Sequence, residues 1–301
     1  TKDKDIIKFD KDWSKITGQF FSSSRDQEII IEIKDMRRKA YLNGIDEGFA
    51  TNIIGTFRVI IFSPMHLSLI KGGPDLRRRL IDAAICQLKP TYTRLISGYN
   101  HILRQRNSLL KSLNINSSLK DTLDIWNQKL ISYGSEVIFE RLKYLKDLKK
   151  ISSDIYSEIS QSKEKLSIDY GCCVKIDEKN NVDEIFSALE KKLSSNTESD
   201  ISNGFTSVGP HRDDVIFSIN SKPIKTFGSQ GQQRSSVLAV KLSEAKYIEE
   251  KTKEKPLVLL DDVMSELDLY RREYITEKIK DYQVFITSCE DIKAIGNENT
   301  K

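Results

Sequence analysis

The stretch Pro256-Leu257-Val258-Leu259-Leu260-Asp261-Asp262 decides the fold. Four consecutive apolar side chains describe a buried strand of a parallel sheet. An acidic pair follows at its C-terminal end, where ligands bind in open α/β sheets. This is a Walker B pattern. Asp261 is placed to hold Mg²⁺, directly or through water, and Asp262 to face an attacking water as base or orienter. Taken alone, the same residues equally describe a strand followed by acids that complement a helix dipole. The neighbours tip the balance. Ser265-Glu266-Leu267-Asp268 follows at close range. About 30 residues upstream, the span that a helix and a strand need, Ser229-Gln230-Gly231-Gln232-Gln233 opens a helix. Ser and Gly at a helix N-terminus present a hydroxyl and free backbone N–H groups to an anion. Ser there is also an ordinary N-cap.

Around this centre, residues 228–290 read as β/α. Leu238, Leu242, Ala245 and Ile248 face inward on the helix, and Gln283–Thr287 forms a second buried strand. Residues 1–70 read as mostly β. Ile29, Ile31 and Ile33 alternate with Ile30, Glu32 and Lys34 at the two-residue period of a strand. Trp13 to Phe21 is its partner, with the turn at Ser22-Ser23-Ser24-Arg25-Asp26, and Phe57 to Phe62 is a further strand. Residues 71–166 read as helical. Gly72-Gly73-Pro74 opens one helix, Pro90 separates it from a second over Thr91–Leu113, and a shorter one covers Leu119–Tyr133. A long helix follows, carrying Ile138, Leu142, Leu145, Leu148, Ile151, Ile155 and Ile159 at spacings of three or four. In residues 167–227, Leu166–Ile176 reads as a strand, Asp183–Leu193 as a helix, Ser194 to Asn203 as a loop, and Val215, Phe217 and Ile219 as a strand. The expected domains are 1–70, a β-rich part of the head; 71–166, a helical lobe; and 167–301, the remainder of the head.

Composition bounds the function classes. The 301 residues are 31% charged and 38% hydrophobic, with a net charge of +4. No apolar run approaches the roughly 18 residues of a membrane span, and Thr1-Lys2-Asp3-Lys4-Asp5 is no secretory signal. Cys86, Cys172, Cys173 and Cys289 show no C-x-x-C spacing, and the histidines are His66, His101 and His211. This argues against a disulfide scaffold and a structural zinc site, and for a cytoplasmic location. Cys172-Cys173 is expected in a strand, one side chain each way. Charge is concentrated in residues 71–112, where Lys71, Arg77, Arg78, Arg79, Lys89, Arg94, Arg104, Arg106 and Lys111 face only Asp75 and Asp82. A helical stretch of this kind tracks phosphates. Arg77, Arg78, Arg79, Arg94, Arg104 and Arg106 are the candidate DNA contacts, with a solvated helix face as the plain alternative and, for Arg77 and Arg78, pairing with acids of the head. Tyr92 and Tyr99 interleave with these basic residues, and their helical spacing favours core packing over the alternative of base stacking.

Taken in order, the signature loop, helix, Walker B strand and acidic loop resemble an ABC-type ATPase head. Within that class the chain resembles the RecF family of bacterial recombination and repair ATPases, related to SMC heads. Three stretches carry the resemblance. They are Ser63-Pro64 through Gly72-Gly73-Pro74 with Arg77-Arg78 and Asp82; Gly209-Pro210-His211-Arg212-Asp213-Asp214; and Leu259-Leu260-Asp261-Asp262 through Ser265-Glu266-Leu267-Asp268 with Arg271. The resemblance covers essentially the whole chain.

The resemblance implies an α/β head with an inserted helical lobe, ATP and Mg²⁺ as cofactors, and a nucleotide-sandwich homodimer. In that dimer Ser229, Gly231 and Gln232, with Asp268, serve ATP held by the other subunit. It implies ATP-dependent binding to single-strand/duplex junctions in recombinational repair and replication restart. The partners it implies are RecR and RecO, in support of RecA loading. His211 and Arg212 become head-structure or coupling residues.

The chain departs from the family pattern. Met65 stands where the family is usually acidic, and Leu80 where it is aromatic. No histidine follows the Val284–Thr287 strand; Thr287 or Ser288 is the candidate substitute for the switch histidine of transporter-type ATPases. No G-x-x-x-x-G-K-[ST] occurs, and the first Met is Met36. The resemblance therefore implies that Thr1 lies about 50 residues into a longer protein, and that this chain alone is inactive. Asp262 is one methylene shorter than the Glu of many such ATPases, about 1.5 Å less in reach, which predicts slow hydrolysis. The competing readings are a non-enzymatic DNA-binding scaffold with a degenerate head, and another SMC-like ATPase.

Overall fold

The computed structural model describes residues 3–35, 37–113, 117–177 and 179–288; Cys289 lies outside them. Contacts group the chain into two compact units, residues 1–58 with 86–93, and residues 59–85 with 94–301.

The first unit is built on an antiparallel meander of β1 (Trp13–Ser22), β2 (Arg25–Lys34), β3 (Arg37–Leu42) and β4 (Ile45–Phe49), in that order. The β1–β2 turn is Ser23-Ser24, with φ of 53° and 61°. Both residues sit in the left-handed region that a two-residue hairpin turn requires, because its twist then matches that of the strands. Pairing runs from Ser22↔Arg25 to Trp13↔Lys34. The β3–β4 turn is Asn43-Gly44, φ 52° and 80°. Asn-Gly between two strand runs is a strong hairpin signal, and the sequence reading passed over it. The Ile29, Ile31, Ile33 alternation does form a strand, with Ile33 the fully buried member.

The second unit carries the α/β head. It begins with β5 (Val59–Phe62), α1 (Pro64–Lys71), most of α2 (Pro74–Leu88) and α3 (Pro90–Leu113), and α4 (Leu123–Ile159). Then come β6 (Leu166–Gly171), α5 (Val182–Asn203), β7 (Asp214–Ile219), β8 (Lys222–Pro223) and α6 (Ile224–Phe227). The described residues end with α7 (Gln230–Thr252), β9 (Leu257–Asp261), α8 (Leu269–Ile279) and β10 (Val284–Thr287). A parallel sheet has the order β10-β9-β5, and a second sheet the order β6-β7-β8 with antiparallel pairing. Ile60, Phe62, Val258 and Leu260 bury the parallel sheet, and Leu238, Leu242, Ala245 and Ile248 bury α7 as expected.

Three expectations are corrected. The helices read as Leu119–Tyr133 and 138–159 are one helix of 37 residues, α4, preceded by a short 3-10 segment. A glycine inside a helix costs about 1 kcal/mol, so Gly134 is a local weak point. Its lack of a side chain lets other groups in: a Cβ there would stand 3.4 Å from both Pro210 Cδ and Tyr99 Cε2. Ser194 to Asn203 is helical rather than a loop. Its hydroxyls bond back to the helix, as Thr197 Oγ1 does to the Leu193 carbonyl at 3.0 Å, Asp200 is buried among partners, and Gly204 ends the helix at φ 70°. Finally, β6 ends at Gly171, so Cys172 and Cys173 lie on the loop beyond it and not on the strand.

Candidate nucleotide site

The parallel register brings the C-terminal ends of three strands together. Thr287 pairs with Asp261, and Phe62 with Leu260. Asp261 is exposed, and one of its oxygens accepts from Thr287 Oγ1 at 2.8 Å. Asp262 is half-buried and adopts φ 50°. That left-handed conformation costs a non-glycine residue of order 1 kcal/mol or more and is held only by its surroundings. Here the Asp262 N–H donates to both the carbonyl and the hydroxyl of Thr287, each at 3.1 Å. Ser265 Oγ donates to the Asp262 carbonyl at 3.0 Å and to its carboxylate at 3.2 Å. Val263, Met264 and Leu267 are buried and anchor the turn. Thr287 thus braces both acids.

A second cluster surrounds the start of α7. Ser229 is the N-cap: its Oγ accepts from Gln232 N at 3.2 Å, and Gln232 Oε1 accepts from Ser229 N at 2.8 Å. The other end of the Gln232 amide donates to Glu164 at 2.7 Å. The ordinary capping role is therefore present, and a phosphate contact by Gln232 requires this amide to turn. Asp268 caps α8 through Arg271 N at 3.0 Å and pairs with the Arg271 guanidinium. That backbone donor first, and then the guanidinium, hold its carboxyl below the usual range. Arg271 Nε donates to Ser235 Oγ at 2.7 Å, and a Cβ on Gly231 would lie 3.6 Å from Arg271 Nη2. Gly231 and Asp268, far apart in sequence, are so joined through one arginine. Arg234 links the two clusters by its 2.5 Å ion pair with Glu266; the sequence reading missed it.

Behind them sits His66, on the first turn of α1. Its Nδ1 accepts from Ser63 N at 3.0 Å. Burial, and then the charge of Lys241, lower its pKa to about 4, so the ring is neutral at pH 7. Nothing in the sequence distinguished it.

A different constellation is buried around residues 206–214. Arg106 has no exposed side-chain area; Nη1 donates to Asp200 and to Thr206 Oγ1, both at 2.8 Å, and Nε to Asn127 at 2.8 Å. Arg77 grips both Asp214 oxygens at 2.7 and 2.9 Å and the Leu69 carbonyl at 2.8 Å. Arg78, largely covered, pairs with Asp75 and donates to the Asp213 carbonyl. Arg141 forks onto Asp82 at 2.9 and 2.8 Å and donates to the Pro210 carbonyl at 2.7 Å. His211 Nε2 donates to the Thr206 carbonyl at 3.0 Å, which leaves Nδ1 to accept from Tyr99 OH at 2.6 Å.

Arg77, Arg78 and Arg106 are therefore withdrawn as DNA contacts, for they are spent inside the fold; Arg79, Arg94 and Arg104 are exposed. A signal was present: Arg106 falls on the stripe of Tyr99, Ile102, Leu110 and Leu113, all buried. Tyr92 and Tyr99 are core residues, each 1% exposed. The head-structure reading of His211 and Arg212 agrees with their shared acceptor, the Thr206 carbonyl.

Known proteins share this architecture. The DNA replication and repair protein RecF of Clostridium perfringens is 39% identical over 303 aligned residues, covering all of this chain and 82% of the relative. RecF of Lachnoclostridium phytofermentans is 38% identical, covering 99% and 80%. This chain belongs to the RecF family.

Two solved structures of the recombination mediator protein RecF in the RecFOR pathway, RecF-ATPrS and RecF-ATP, match this RecF-family chain with TM-scores of 0.92 and 0.91. They are 35% and 36% identical to it; the matches cover 99% and 98% of this chain and 80% and 79% of theirs. No protein-family model matches. The ABC-type head expected from the motif order is the fold observed. No helix among the described residues is long and apolar enough to cross a membrane.

Proposed function

We propose that this RecF-family chain carries the ATP-responsive head of a DNA-repair protein. ATP joins two heads, and the joined heads hold DNA at single-strand/duplex junctions during recombinational repair and replication restart. RecR and RecO are the partners in loading RecA, and the location is the cytoplasm. The observation that carries this reading is the alignment of Asp261, Asp262 and Thr287 at one sheet edge, with Ser229, Gly231 and Asp268 gathered at the head of α7.

The roles follow from the chemistry. Asp261 is exposed and acceptor-rich, and its hydrogen bond to Thr287 leaves lone pairs for Mg²⁺. The ion, when bound, neutralises charge on the β- and γ-phosphates. Asp262 orients the attacking water and takes its proton, and Ser265 and Thr287 hold it in place. Ser229 and Gly231 offer a hydroxyl and N–H groups to the γ-phosphate of ATP on the other subunit. A two-fold arrangement makes both sites composite. Arg79, Arg94 and Arg104 supply phosphate contacts on the lobe.

The test is fluorescence anisotropy on a gapped duplex, using the protein as encoded, with and without ATP. ATP should tighten binding, and Ser229→Arg should remove the ATP-dependent part while leaving the rest. Equal affinity with and without ATP in the wild-type protein rejects the proposal.

A further inference from the structure

Outside the nucleotide site, one cluster of ligating side chains stands apart. Cys172 and Cys173 follow β6, and Asp213 precedes β7. One ligand atom from each lies within 4.8 Å of the other two. Cys172 Sγ is 3.7 Å from Asp213 Oδ2. Asp213 is completely buried, whereas both cysteines are half-buried and keep part of their surface in solvent, which gives an ion a way in.

The carboxylate is held in place. Its Oδ2 accepts from Tyr170 OH at 2.5 Å and its Oδ1 from Cys173 N at 2.7 Å. We infer that Cys172, Cys173 and Asp213 form a binding site for a thiophilic divalent cation of the Zn²⁺ class, with the fourth position open to solvent.

Geometry and donor chemistry agree on the class. Tetrahedral zinc takes sulfur at about 2.3 Å and carboxylate oxygen at about 2.0–2.2 Å, which sets donor–donor separations of about 3.5–3.8 Å. The Cys172 sulfur–oxygen distance of 3.7 Å falls in that interval, and the wider separations, all within 4.8 Å, have to close by about 1 Å at most. Two thiolates exclude Mg²⁺ and Ca²⁺, which take hard oxygen donors, and the carboxylate disfavours Cu(I).

Charge is consistent as well. Binding displaces the two thiol protons to solvent, and two thiolates and a carboxylate on a dication leave a net charge of −1. Arg141, 3.3 Å from Tyr170 OH, and Arg78, on the Asp213 carbonyl, are the cations facing it. The carboxylate hydrogen bonds act as the outer partners that orient a ligand. Sequence spacing argued against zinc because no C-x-x-C occurs; here the third donor comes from 40 positions away, and only the pairing of β6 with β7 brings it in. An occupied site would tie the loop after β6 to the buried arginine cluster.

The experiment is an anaerobic Co²⁺ titration of the reduced protein, followed by displacement with Zn²⁺. We expect one equivalent to bind with a thiolate-to-cobalt charge-transfer band and tetrahedral d–d bands, and Zn²⁺ to raise the thermal midpoint. Cys172→Ser/Cys173→Ser should abolish the band, and Cys86→Ser/Cys289→Ser should keep it. Cys172→Ser alone should weaken binding by more than the roughly 10–100-fold that loss of an outer-shell partner costs. Absence of the charge-transfer band in the folded wild-type protein overturns the inference. So does a band that survives in the folded double variant lacking Cys172 and Cys173.

Discussion

The buried arginine cluster and the exposed sheet edge use the same kinds of side chain for opposite ends. Around residues 206–214, Arg77 and Arg141 fork onto carboxylates, and Arg106 reaches Asp200 through one nitrogen, with all three arginine side chains buried. At the edge, Asp261 has a hydroxyl for a partner, and Asp262 is held through its backbone. Charges that are paired inside the fold specify its packing. Charges left partly unpartnered at a strand end are available for chemistry. In the first region, removing one member strands another in a low-dielectric interior. In the second, removing one member should leave the fold standing and, under the proposed function, slow ATP hydrolysis.

The largest effect should therefore come from the cluster. Arg106→Ala leaves Asp200 buried without its counter-charge, with the bonds from Ser207 as its remaining support, since both side chains of the ion pair have no exposed area. The expected loss is about 3–5 kcal/mol of stability, read as a lowered denaturant midpoint. An apolar double replacement, Arg106→Met with Asp200→Leu, should recover much of it. A loss below about 1 kcal/mol for Arg106→Ala would place this pair among solvent-screened ones and break the contrast.

At the edge, the expected signature is reversed. Asp262→Ala should lower ATP hydrolysis by the encoded protein by about 100-fold, the lower end for a positioned base because the side chain is short. Stability should be unchanged or slightly lower, because Ala tolerates the backbone at φ 50° less well than Asp and the side-chain bond from Ser265 is removed. Steady-state turnover and thermal melts on the same sample check both halves. A faster enzyme would remove Asp262 from the reaction.

How far the sequence reaches follows the same division. The strand Leu257–Asp261, the helix behind Ser229 and the parallel partner at Val284 were legible because period, caps and turn chemistry are local. The continuation of α5 through its polar end was not: Asp200 is stabilised by Arg106, 94 positions away, and local propensity carries no sign of that. The same holds for the arginines. Arg104 and Arg106 are chemically identical two positions apart, and only the helical stripe, weighed before charge, separates them. Thr287 was legible as a candidate at the edge. Its actual duties, a hydroxyl to Asp261 and a carbonyl to Asp262, depend on strand register.

The exposed arginines sharpen the contrast within one element. Arg94 and Arg104 share α3 with Arg106. Charge removal at Arg79, Arg94 or Arg104 should weaken duplex binding a few-fold at moderate salt. Each should also flatten the salt dependence by about 0.9 in log–log slope for every phosphate no longer neutralised. Stability should stay within about 0.5 kcal/mol, as for ordinary surface sites. Anisotropy titrations at several salt concentrations separate a phosphate-binding arginine from a solvated bystander: an unchanged slope assigns the residue to the latter.

The smallest effect concerns protons. His66 and His211 both have pKa values lowered to about 4, with burial the leading cause in each. His66 stands among the edge residues, half-buried, and its second cause is Lys241. A folded-state value below the unfolded one of about 6.5 means that the unfolded chain binds the extra proton first. Stability is therefore full above pH 6.5 and declines as pH falls toward 4. Part of the His66 side chain reaches solvent, so its share is screened and small. His66→Gln retains an acceptor for Ser63 N and removes the titration; the slope of stability between pH 6.5 and 4 should shrink slightly and persist through His211. Ring-proton NMR decides directly. A His66 titration near 6.5 would show that the edge is wetter than its hydrogen bonds imply. A depressed value that rises when nucleotide is added, with His211 unmoved, would place anionic charge at the edge and not in the arginine cluster.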